Sequence, residues 1–182
     1  GTAVHAWNAA VEVGQVTVEQ VPDMFRGHVR AYFSTLAAEN IRVVPDLIER
    51  QVYTAITRTV GTFDRIIELP DGTQVIADIK TKTSRALRYG WLSIGIQLDI
   101  YSRASAILAE DCSRWERPPV VSQDIAAVIH VPSDAPTPRC EIKWVDLNNG
   151  RRGTDLAVSV IAARAAAEEH IPMQGFHPAT RR

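Results

Sequence analysis

Residues 74–80 read Gln-Val-Ile-Ala-Asp-Ile-Lys, an almost unbroken apolar run with one carboxylate set inside it. Seven residues are short for a globular helix, and the β-branched content favours a strand. A strand that is apolar on successive residues is covered on both faces, so layers of structure must lie above and below its sheet. That requirement points to an α/β sandwich. Within the strand, Asp78 and Lys80 are two apart and leave the same face, while Ile79 leaves the other. A carboxylate in such a setting costs free energy unless a partner answers it. The run is therefore both the expected centre of the fold and the first candidate for chemistry.

The flanking sequence supplies the layers. Residues 2–13 read as a short helix. Residues 22–38 read as a second, with Phe25, Val29, Tyr32, Phe33 and Leu36 at helical spacing, Pro22 at its first position and Asn40 as its stop. β-Branched and aromatic residues then predict strands over 48–57 and 59–69, and Pro70-Asp71-Gly72-Thr73 is a turn that folds the second strand onto 74–80 as a hairpin. A polar, basic stretch covers 81–88. A long helix is expected from Tyr89 or Gly90 to about 110, then a proline-rich loop around Pro118 and Pro119, then strands over 125–131 and 140–147. Gly150 to Gly153 read as a break, and Thr154 as the cap of an alanine-rich helix ending near His170, ahead of Pro172 and a fraying tail. The expectation is one domain over 1–182, with a central mixed β-sheet flanked by helices. The abrupt start at Gly1 leaves room for natural sequence upstream.

Composition narrows the function. The formal net charge is -1 with 23% charged residues, so no global basic field advertises a polyanionic partner, and any nucleic-acid contact must come from a local patch. Cys112 and Cys140 stand far apart with no C-x-x-C spacing, which excludes a four-cysteine zinc or iron-sulfur site built from this chain alone. They read as two buried thiols in a reducing cytoplasm, with a disulfide as the alternative. His28, His130, His170 and His177 show no metal-ligand spacing and read as structural. No apolar run is long enough to span a bilayer, and the first residues have no signal-peptide architecture, so a soluble cytoplasmic protein without a membrane partner is expected.

The predicted hairpin brings Asp64 towards Asp78. Two carboxylates a few ångströms apart repel unless a cation sits between them, and a hard divalent ion with oxygen ligands is the natural resident. Lys80 beside them can orient a water or stabilise charge on a phosphate, which suits phosphodiester hydrolysis. The plainer alternative is a set of exposed strand charges in weak ion pairs. The apolar run around Asp78 weighs against it.

Four segments, Gly1-Thr2-Ala3-Val4-His5, Gly61-Thr62-Phe63-Asp64, Ala77-Asp78-Ile79-Lys80-Thr81 and Gln97-Leu98-Asp99-Ile100-Tyr101, occur in an order and at spacings that resemble the PD-(D/E)xK nuclease superfamily, and within it the RecB-like exonuclease branch. The resemblance covers residues 1–104 and implies a restriction-endonuclease-like core. It implies a magnesium or manganese ion held by His5, Asp64, Asp78 and the main-chain carbonyl of Ile79, with Lys80 as the catalytic lysine. Gln97 and Tyr101 match the branch's Q-x-x-x-Y motif and would touch the DNA phosphate or support the site; as residues i and i+4 they also fit the half-buried face of an ordinary helix. Glu49 matches a position where relatives often carry an acid, as a second-shell group or second-metal ligand, or it is a simple exposed strand charge. Lys82, Arg85 and Arg88 form a compact basic segment where a DNA backbone would pass, or else a solvated loop. Tyr89 and Trp91 offer base stacking, or for Trp91 a core anchor. Some relatives carry a four-cysteine iron-sulfur cluster; this chain lacks the ligands and is expected to have none.

The function these features imply is a metal-dependent DNA exonuclease in recombination, repair or phage DNA metabolism, working beside a helicase or recombinase. The alternatives are a catalytically inactive DNA-binding or assembly module of the same fold, and a structure-specific endonuclease.

Overall fold

The structure is a computed structural model and describes residues 2–168. Among them, strands β1 (Arg42–Thr54), β2 (Thr59–Glu68), β3 (Gln74–Lys80), β4 (Ala106–Leu108), β5 (Trp115–Glu116), β6 (Ile125–His130) and β7 (Glu141–Asp146) form one mixed sheet in the order β5-β4-β1-β2-β3-β6-β7. Every neighbouring pair is antiparallel except β3 and β6. A parallel pair needs a crossover, and here it contains α3 (Ser84–Arg88), α4 (Trp91–Ser102) and the two short strands β4 and β5. Helices α1 (Thr2–Glu12) and α2 (Asp23–Ala38) precede the sheet, and α5 (Leu147–Glu168) follows it. The chain is thus an α/β protein with helices flanking a mixed sheet. None of the described helices is long and apolar enough to cross a membrane.

Strand β3 is covered on both faces, as its composition requires. Val75, Ala77 and Ile79 join Tyr32 and Leu36 of α2 in one core cluster. Ile76 joins Leu87 of α3 and Ile94 and Leu98 of α4 in the other. Helix α2 stops at a left-handed Asn40, φ 53°, where Asn40 N–H donates to Ala37 O and Ile41 N–H to Leu36 O. This is a Schellman ending, with Leu36 and Ile41 both in the core.

Four expectations are corrected. Strand β1 begins six residues before the expected Ile48, despite Pro45. The proline falls inside the stretch between Val43 and Ile48 where register with β2 is broken, so it removes no ladder bond. The helix expected to reach residue 110 ends at Ser102. Thr54 Oγ1 donates to the carbonyl of Ile100 and Gln123 Nε2 to that of Ser102, which satisfies the last turn, and the residues beyond pair with β1 as β4. Gly150 and Gly153 do not break the chain. They lie within α5 because its backbone packs against α4: a Cβ built on Gly150 would lie 2.1 Å from the carbonyl oxygen of Gly95. Cys112 is exposed, Cys140 is only partly buried, and the two are not bonded to each other. His170, Pro172, His177 and the tail lie outside the described residues.

Candidate active site

The β2–β3 ladder runs from Glu68 opposite Gln74 to Arg65 opposite Ala77 and stops there. One more rung would set Asp64 opposite Asp78. In place of that rung, Asp64 Oδ2 accepts the Ile79 N–H at 2.8 Å. The side-chain carboxylate thus takes a main-chain donor that the ladder has released. Asp78 is 4% exposed. Lys80 Nζ donates to its Oδ1 at 2.9 Å and lies 2.7 Å from its Oδ2. Both oxygens thus share the one ammonium. Burial first, and the charge of Asp64 second, push the Asp78 carboxyl up to about 6, against the opposing pull of Lys80. Lys80 is thus ion-paired with Asp78, and Asp64 lies near enough for its charge to be felt there.

His5, on the first turns of α1, places Nδ1 3.6 Å from Asp64 Oδ2. Burial is the main influence on its ring and lowers its affinity for a proton, which favours the neutral imidazole, the form that has a lone pair to offer a metal. Glu49 sits on β1 with a left-handed backbone, φ 50°. Its Oε1 is 3.6 Å from Nη1 of the buried Arg65. His5, Glu49, Ile79, Lys80, Thr81 and Lys82 line a cleft of about 390 Å³. A larger groove of about 670 Å³ also has Glu49 in its lining, with Asp46, Arg50 and Glu110.

Whether these residues fit a divalent cation is answered by Asp78 Oδ2. Its nearest positive charge is the Lys80 ammonium, and with the charge of Asp64 also felt there two carboxylates share one cation, so a further positive charge lowers the energy. The donors for it are Asp64, Asp78 and, as a neutral ring, His5. Among the described residues no three His, Cys, Asp or Glu side chains converge into a ready-made cage, so the fit rests on the carboxylate pair.

The basic segment is more ordered than expected. Thr83 caps α3 by accepting from Ala86 N–H, Ser84 N–H donates to Asp134, and Leu87 is buried in the core. Lys82, Arg85 and Arg88 remain exposed, and Tyr89, 77% exposed, follows them. His130 is structural, as read from the sequence: its ring is fully buried and bonds the Lys82 carbonyl through Nε2 and Glu141 through Nδ1. It fixes the backbone just beyond Lys80. Trp91 packs on the core.

Gln97 and Tyr101 stand apart from the carboxylates. Gln97 Nε2 donates to Tyr101 Oη at 3.3 Å, and no hydrogen bond among the described residues links either to Asp64, Asp78 or Lys80. The Tyr101 ring covers Gly61, where an added Cβ would lie 2.6 Å from Cε1. The segment Gly150 to Gly153 is helical, and Arg151 donates to Asp99 Oδ1 and to the Gln123 carbonyl.

Three charged groups escaped the sequence reading. Arg65 is fully buried and paired with Glu12. Asp99, also buried, binds Arg103 and Arg151 and so ties α4 to α5. The signal for Arg65 was present, since a cation inside Phe63–Ile67 interrupts an apolar run and a buried charge demands a partner.

No family model matches the chain, and no curated protein matches it in sequence. Among solved structures, the chain is similar to one described as the crystal structure of SSO0001, with 14% identity, 87% of this chain and 74% of that one covered, and a TM-score of 0.30. A likeness at that level carries neither fold nor function.

Proposed function

We propose that the chain is a magnesium- or manganese-dependent DNA exonuclease with a restriction-endonuclease-like core, of the RecB-like branch of the PD-(D/E)xK superfamily. The observation that carries the reading is the pair Asp64 and Asp78, set one rung beyond the end of the β2–β3 ladder, with Asp78 buried and ion-paired to Lys80. Asp64, Asp78, the Ile79 carbonyl and His5 would hold the cation. When bound, it supplies Lewis-acid polarisation of a phosphodiester and an acidified water.

The remaining work falls to the chain's own residues. Lys80 presents an ammonium at the mouth of the cleft, where it stabilises negative charge that builds on the phosphate during attack. Its ion pair with Asp78 keeps the amine aimed there. Lys82, Arg85 and Arg88 neutralise the backbone phosphates on either side of the scissile bond, without reading sequence. Tyr89 offers a stacking face to a base. A helicase or recombinase would deliver DNA ends to such a site.

The test is digestion of end-labelled linear DNA with Mg²⁺, Mn²⁺ or EDTA by the wild type, Asp78→Asn and Lys80→Met. Metal-dependent degradation is expected from the wild type, with a loss of at least about 10²-fold in each variant, the scale of a lost electrostatic or acid-base group, and unchanged circular dichroism. Equal activity in the variants would remove the assignment. One rival is a DNA-binding module without catalysis. Retained DNA binding with no cleavage under either metal would select it. Cleavage of covalently closed circles would select an endonuclease.

A further inference from the structure

Helix α1 carries His5 and Glu12, and seven residues return to nearly the same helix face about 10 Å further along the axis. That face meets β2 twice. His5 approaches Asp64, and Glu12 Oε2 accepts from Arg65 Nε at 2.6 Å. Arg65 is fully buried, and its Nη1 donates to the main-chain carbonyl of Asp64 at 2.6 Å. Glu12 Oε1 accepts from Tyr32 of α2 at 2.5 Å. One polar network therefore runs from α2 through α1 to β2 and ends on the backbone of the residue whose carboxylate faces Asp78.

Helix α1 also packs against α2 and β1. Val4 and Asn8 are its buried residues, and the Asn8 amide has no hydrogen-bond partner. An apolar pair of similar volume would hold the helix as stably as a buried ion pair does. What the ion pair adds is direction, because one planar guanidinium donates from Nε to Glu12 and from Nη1 to the Asp64 carbonyl. A slip of α1 by one turn, about 5.4 Å, would part Glu12 from Arg65 and His5 from Asp64 together.

We propose that Glu12 and Arg65 are positioning residues that set His5 and the Asp64 carboxylate in register for a divalent cation, a role that rests on the nuclease reading of the site. The pair touches neither cation nor substrate. It acts through the placement of α1 and through the Asp64 main chain.

Three preparations of the full chain test this against the wild type: Glu12→Gln, the double variant Glu12→Met with Arg65→Met, and Asp78→Asn as reference. The readouts are hydrogen exchange of the α1 amides, Mn²⁺ affinity by electron paramagnetic resonance, and cleavage as a function of Mn²⁺ concentration. Glu12→Gln is expected to exchange α1 faster, and both Glu12 variants to bind Mn²⁺ roughly 10- to 100-fold more weakly, the usual effect of losing a group that orients a ligand. Saturating Mn²⁺ is expected to restore their cleavage but not that of Asp78→Asn. The double variant leaves no unpaired buried charge, so it carries the test if Glu12→Gln fails to fold. A folded double variant with wild-type Mn²⁺ affinity would overturn the proposal, since a merely structural pair predicts that result. A wild type that binds no Mn²⁺ overturns the nuclease reading itself. The α1 exchange rates then still decide whether the pair anchors the helix.

Discussion

At Asp78 burial works against charge. Its carboxyl is raised from 3.8 to about 6 by desolvation first and by Asp64 second, so the folded chain holds that proton more tightly than the unfolded chain does. The stability this group contributes is complete below about pH 3.8 and is lost as pH rises through about 6. A shift of about two units corresponds to at most ~3 kcal/mol. In cation-free buffer, urea denaturation from pH 4 to pH 8 should show Asp78→Asn gaining stability relative to wild type across that window, with Mn²⁺ closing the gap by binding the charged wild-type site. A difference between the two proteins that ignores pH would refute this account of Asp78. The site is held in a state less stable than the fold could achieve, which is common where a cation is to be bound.

Elements show where sequence reasoning reached and where it stopped. Strand β3 and its hairpin were legible because a turn, an apolar run and a two-residue period are local facts. So were α1, α2, β6 and β7, to within a residue or two. What was missed depends on distant partners. Strand β4 is built from Ala106-Ile107-Leu108, good helix formers that pair with β1 instead. Helix α5 passes through Gly150 because that residue touches Gly95. In the site, Asp64, Asp78 and Lys80 were readable from one hairpin, whereas Glu12 and Arg65 are 53 positions apart and no local pattern joins them.

The α4–α5 contact gives a test at this scale. Helix propensity alone predicts that Gly150→Ala stabilises by about 1 kcal/mol. The added methyl would meet the Gly95 carbonyl at 2.1 Å, and overpacking of that kind costs about 1–3 kcal/mol. Net destabilisation is expected, read as a lower urea midpoint. A raised midpoint would mean that the two helices do not approach so closely.

Across the whole molecule, a net charge of -1 hides a local basic segment that matters more than the sum. The exposed cations Lys82, Arg85 and Arg88 follow the strand that carries Asp78 and Lys80. The proposed activity depends on a cation being held where the β2–β3 ladder ends. The most direct measurement is anomalous X-ray scattering from a crystal of the chain soaked in Mn²⁺. The account predicts a single strong peak shared by Asp64 and Asp78, at roughly 2.0–2.6 Å from an oxygen of each, as hard cations bind oxygen, and no such peak in Asp78→Asn. A wild-type map with no peak between the two carboxylates, at a Mn²⁺ concentration that fills sites elsewhere, would contradict it.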